Sequence, residues 1–162
     1  MDLHLHSYQR QHQPDWPAAA VAGLAAGAVL MVLELFWSTL VSGDSPWVVS
    51  NMISAIVMGP TALQSSDFSV TVVAVGLAAH YVLGVVFGLV LAAIIVPFRL
   101  DSTMGMVLLV GALFGAVLYL LNFYGMTRFF PWFAELRGAP TVVTHLIFGV
   151  TTAFLYWKFN RH

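Results

Sequence analysis

Whatever chemistry this chain performs rests on four side chains set in long apolar stretches: Glu34, His80, Asn122 and His145. A charge at mid-membrane costs about 2.5–3.5 kcal/mol by insertion measurements, so polar groups there need a reason. Glu34 suits a proton carrier or a cation ligand; otherwise it is a neutral carboxyl hydrogen-bonded to a neighbour. Asn122 suits interhelical hydrogen bonding.

His80 and His145 admit three roles. They are satisfied buried imidazoles, or the two axial ligands of one haem b, or, with Glu34, a metal or proton site. The haem reading uses Gly84 and Gly149, each four residues beyond a histidine, as clearance for a flat macrocycle. Propionates would then seek Arg128, Arg137, Trp47 or Trp132 at the membrane surface. One such haem could not carry electrons across the bilayer. The metal reading lacks any close H-x-x-x-H or E-x-x-H spacing. His4, His6 and His12 lie in a polar tail and read as solvated, with loose metal binding as the alternative.

The elements that must position these groups are long. A membrane span needs about 20 apolar residues. Four stretches qualify, at 18–41, 70–96, 104–124 and 141–159, which predicts an all-α membrane protein of four transmembrane helices. The second could reach roughly 40 Å at about 1.5 Å per residue, so it should tilt or protrude. Residues 1–17 read as a disordered or interfacial tail, and 18–162 as a single domain. The long apolar run after the tail, with Glu34 inside it, argues against a cleavable signal peptide.

The loops joining the spans carry pattern as well. Within 47–63, Val48, Val49, Met52, Ile53, Ile56 and Val57 make one apolar helical face, with Ser50, Asn51 and Ser54 off it and Pro60 as a stop. This helix is too short to span, so it should lie in the interface or re-enter. Residues 127–137, with Phe129, Phe130, Trp132, Phe133 and Leu136, form its counterpart at the headgroup boundary.

An internal repeat links these parts. Gly23-Leu-Ala-Ala-Gly27-Ala-Val-Leu30 matches Gly111-Ala-Leu-Phe-Gly115-Ala-Val-Leu118 at an offset that also pairs Glu34 with Asn122. Each copy continues with Pro-Trp, then Pro-Thr, then His-x-x-x-Gly, at His80–Gly84 and His145–Gly149. Two helical hairpins running in the same sense, about 18–97 and 104–160, make a parallel repeat about an axis along the membrane normal, each with a short helix in its loop. The polar groups share helix faces with small residues: Gly23 and Gly27; Gly76, Gly84 and Gly88; Gly111 and Gly115; Gly149. Small-residue stripes mark close helix packing in lipid, so the polar groups should face protein and converge toward the loop-bearing side.

Composition bounds the function. The chain is 60% hydrophobic and 8% charged, too poor in charge to cover a water-soluble globule. Six basic against seven acidic residues leave no electrostatic footprint for nucleic acid. With no cysteine, disulfides, thiolate metal sites and thiol nucleophiles are excluded. No phosphate loop or hydrolase motif occurs, so a non-catalytic role is expected. Arg10, Arg99, Lys158 and Arg161 against Arg128 and Arg137 place both termini in the cytoplasm. In general architecture the glycine-rich spans resemble small four-span bacterial inner-membrane proteins, which implies that membrane and no particular activity. The expected function is an accessory subunit of a larger membrane complex, docked to other membrane subunits or to a second copy. The alternatives are a one-haem electron carrier or a small proton or metal-ion transporter using Glu34, His80 and His145.

Overall fold

A computed structural model describes residues 13–64 and 67–160. His4, His6, His12 and Arg10 of the tail, and Arg161 and His162, lie outside the described residues. Every element among the described residues is helical. Helix α1 covers Trp16–Phe36 and continues as a π-helical segment, Trp37–Ser42. It starts where its chemistry allows: the Asp15 carboxylate accepts from the Ala18 N–H at 3.0 Å and Pro17 occupies the first turn. Helix α2 is Val48–Met58, bounded by two left-handed glycines, Gly43 and Gly59. A 3-10 turn, Pro60–Leu63, follows it, so Pro60 does close the helix. Helix α3 is Val70–Ile95 and α4 is Met104–Leu120, whose N-cap Thr103 accepts from the Met106 N–H at 3.2 Å. Helix α4 also runs on as a π segment, Leu121–Gly125, and the second loop holds two 3-10 pieces, Met126–Arg128 and Pro131–Leu136. Helix α5 is Ala139–Phe159.

Four of these helices are long and apolar enough to cross a membrane: Trp16–Ser42, Val70–Ile95, Met104–Arg128 and Ala139–Phe159. Their outer faces carry side chains such as Val32 and Leu40, 66% and 72% exposed. So much uncovered hydrocarbon needs acyl chains around it.

Glycines set the spacing. A Cβ placed on Gly88 would sit 2.5 Å from the Ala19 carbonyl oxygen, and one on Gly84 would sit 2.9 Å from that of Gly23. Thus α1 and α3 cross backbone to backbone, antiparallel. A Cβ on Gly111 would sit 2.6 Å from the Gly149 carbonyl, and one on Gly149 would sit 2.7 Å from the Gly115 nitrogen, so α4 and α5 cross the same way. Helix α1 also packs along α5, whereas α3 and α4 touch only sparsely. At the end bearing the chain termini, Ala19, Leu91, Ala92, Ile95, Val107, Ala153 and Tyr156 close into an apolar core.

Helix α2 departs from its sequence pattern. Asn51 and Ser54, expected off the packed face, are buried at 6% and 0%, while Val57 is 68% exposed. The helix is packed on two sides, against α3, where Gly76 would drive a Cβ to 2.6 Å from the Ser50 carbonyl, and against Tyr119, Phe123 and Phe133 of the other half through Met52. The Ser54 hydroxyl donates to the Asn51 carbonyl at 2.9 Å, within the helix itself. An outward valine costs nothing in lipid. The second loop differs too, because its aromatic run folds as 3-10 turns and not as one amphipathic helix.

Candidate functional site

Glu34 lies at the end of α1, just before the π segment, and Asn122 lies inside the π segment of α4. Such segments widen the helix by one residue per turn and recur at functional sites. His80 is three turns into α3 and His145 two turns into α5, both counted from the loop side. Because neighbouring spans run in opposite directions, these four positions reach a common depth. Their side chains line one cavity of about 100 Å³. Leu30, Phe87, Leu118 and Phe148 form its floor, with the Phe87 and Phe148 rings edge to face at 6.4 Å. Val49, Ile53 and Ile56 of α2, with Phe133 and Leu136 of the second loop, form its roof.

Each imidazole is held by a backbone carbonyl, and the two are held differently. His80 Nε2 lies 2.8 Å from the Gly27 carbonyl on α1. His145 Nδ1 lies 2.9 Å from the Thr141 carbonyl, one turn back on its own helix. A carbonyl only accepts, so the facing nitrogen carries the proton in both rings. Tyr119 and Phe123 flank the His145 ring at 6.2 and 5.2 Å. Glu34 is half-buried, and among the described residues no donor or cation meets its carboxyl. The Asn122 amide likewise has no protein partner among them.

Beyond Glu34 a second cavity, of about 240 Å³, reaches toward the loop side. Ser38, Ser42, Asp44, Glu135, Arg137, Thr141 and Thr144 line it, and Glu34 borders both spaces. Arg137 is engaged structurally: Nε donates to the Phe123 carbonyl at 2.6 Å and Nη2 to the Thr127 hydroxyl at 3.2 Å, with the guanidinium 4.3 Å from the centre of the Tyr124 ring. It ties the second loop to the π end of α4, where helix carbonyls lack their usual partners. The Trp132 indole N–H donates to the Met52 carbonyl at 3.0 Å and joins that loop to α2.

The four polar residues stand out in the sequence by their apolar surroundings, whereas this outer space does not. Asp44 and Glu135 sit in loops, with no periodicity to mark them, and the π segments leave no sequence signature. Gly27, placed among the packing glycines, proves the loosest of them, since a Cβ there would meet only ordinary contacts from 3.7 Å outward.

Haem b does not fit these residues. The clearance expected beside Gly84 and Gly149 is filled by the backbones of α1 and α4. His80 also spends its Nε2 on the Gly27 carbonyl. Among the described residues no three His, Asp or Glu side chains are grouped closely enough to hold a metal ion, so Glu34, His80 and His145 share a cavity without forming such a set.

Neither the protein-family models, nor the curated proteins, nor the solved structures include one that matches this chain.

Proposed function

We propose that this protein is a multi-pass membrane protein that takes a proton or small cation from the loop side into a buried polar chamber. The observation that carries the reading is the position of Glu34, a carboxyl without a partner among the described residues that borders both the inner cavity and the outer, loop-side one. An intramembrane ionisable group facing a cavity marks a pathway by default, because only traffic or hydration there offsets its desolvation. The outer cavity carries two loop carboxylates, Asp44 and Glu135, beside the Glu34 carboxyl and against the single guanidinium of Arg137, a balance that favours cations. The apolar core at the terminal end closes that side in this conformation, so passage through the membrane requires that end to open.

Two further features belong to this reading. The helix pairs α1/α3 and α4/α5 are copies of one hairpin, supported by matched crossings at Gly23–Gly84 and Gly111–Gly149. The membrane is a bacterial inner membrane with both termini cytoplasmic, so that uptake begins outside.

The test is flux into proteoliposomes loaded with a pH-sensitive dye. The wild-type chain passes protons or small cations at a rate that Glu34→Gln lowers at least tenfold, with Val32→Ala, on an outward face 66% exposed and away from both cavities, as the folded control. Equal rates for wild type and Glu34→Gln would refute the pathway. Stoichiometric companions in a gentle detergent extract, with no flux, would favour the accessory-subunit role expected from the sequence.

A further inference from the structure

We propose that the inner chamber selects an ammonium-type cation, ammonium itself or methylammonium, by its N–H groups; this rests on the cation reading of the site. The inventory of lone pairs points there. Above its ordinary pKa of about 6.5 an imidazole keeps one N–H. In both rings that N–H is committed to a backbone carbonyl, Gly27 for His80 and Thr141 for His145. What remains is a lone pair on His80 Nδ1 and another on His145 Nε2, neither with a protein partner among the described residues. Among those residues no fully buried side-chain nitrogen or oxygen lacks a partner, so both lone pairs are accessible, and the cavity is the space these two buried residues border.

Glu34 adds carboxyl oxygens and Asn122 an amide carbonyl; with both imidazole N–H groups spent on carbonyls, the Asn122 NH₂ is the remaining nitrogen donor among the polar groups lining the chamber. A chamber of acceptors repels anions and favours a positively charged multiple donor. Phe87, Phe123, Phe133 and Phe148 line its wall, and aromatic rings are the side chains that attract a cation in an otherwise apolar lining. The size agrees: about 100 Å³ holds several water-sized particles, and ammonium is one. A bare metal ion is a poorer match, since the lone pairs are spread around the chamber and, among the described residues, no three acidic or histidine side chains close on one point. Potassium is the informative competitor, because it matches ammonium in charge and nearly in size and has no hydrogen to donate.

The experiment is calorimetric titration of the purified full chain in lipid nanodiscs at pH 7.5. Ammonium chloride and methylammonium chloride give saturable binding, while potassium chloride and tetramethylammonium chloride bind at least tenfold more weakly. Glu34→Gln lowers ammonium affinity at least tenfold; because that variant can fail to fold, the wild-type comparison of ammonium with potassium stands as the primary readout. Equal binding of ammonium and potassium overturns the proposal, as does absence of saturable ammonium binding. If ammonium fails while Glu34-dependent flux of protons persists in proteoliposomes, only the ligand class falls. If both fail, the pathway itself falls.

Discussion

The two helix pairs share a crossing and differ just above it. Near the terminal side, Gly23 meets Gly84 and Gly111 meets Gly149, each backbone against backbone. One turn toward the loops the pairs diverge. A Cβ on Gly115 would sit 2.9 Å from both the His145 carbonyl carbon and the Leu146 Cα, so α4 and α5 stay clamped at the level of the histidine. The His145 ring has no room between the helices and turns back to the carbonyl of Thr141. In the other pair the nearest neighbour of a Gly27 Cβ is the His80 ring itself, at 3.7 Å. There the helices have parted enough for an imidazole to reach across and bond to Gly27.

The loop side widens the difference. The first pair carries an ionisable Glu34 and a true helix, α2, whose Ser50 backbone rides on Gly76. The second carries Asn122 and a loop of 3-10 turns clamped by Arg137. Close packing recurs in both pairs where lipid-embedded helices must cohere, and the polar side chains differ on the loop side. One pair supplies the ionisable group and the other the rigid wall.

Substitutions can break this contrast. The largest effect is expected at the clamp: Gly115→Ala forces α4 from α5 and costs about 1–3 kcal/mol, as overpacking does. It is read as a lowered melting midpoint in detergent, whereas Gly27→Ala leaves the midpoint within the scatter of repeats. Equal losses at the two glycines would erase the asymmetry. A smaller effect follows from Arg137→Gln, which removes a charged donor from the Phe123 carbonyl, a bond worth about 1.5–3 kcal/mol when fully formed and less at this exposed site. Hydrogen exchange should quicken across 123–137 and leave α2 unchanged; uniform quickening of both loops would show that they open as one unit. The smallest change is Trp132→Phe, which keeps the ring and removes one hydrogen bond to Met52, about 0.6 kcal/mol on the membrane average. It should loosen α2 in exchange while leaving the melting midpoint nearly fixed.

Much of this was legible from residue order. Spans are legible because hydrocarbon tolerates only long apolar runs with their backbone bonded internally. Gly23, Gly84, Gly111 and Gly149 are legible as packing positions because small residues alone permit such crossings. The pairing of polar residues with those stripes also placed Glu34, His80, Asn122 and His145 toward protein. The inward turn of Asn51 and Ser54 was not legible, because an amphipathic pattern assumes one packed side and α2 has two. Nor was the outer cavity, whose Asp44 and Glu135 sit in loops joined only by folding.

What the chain determines by itself is local and periodic: four apolar helices, their capping by Asp15 and Thr103, and the small-residue faces on which they meet. Tertiary structure alone decided which nitrogen of each histidine is spent on a carbonyl, and that Glu34 borders two spaces at once. Those outcomes depend on helix separations of an ångström or two at Gly27 and Gly115, set by every contact along two crossings. No stretch of sequence carries that sum.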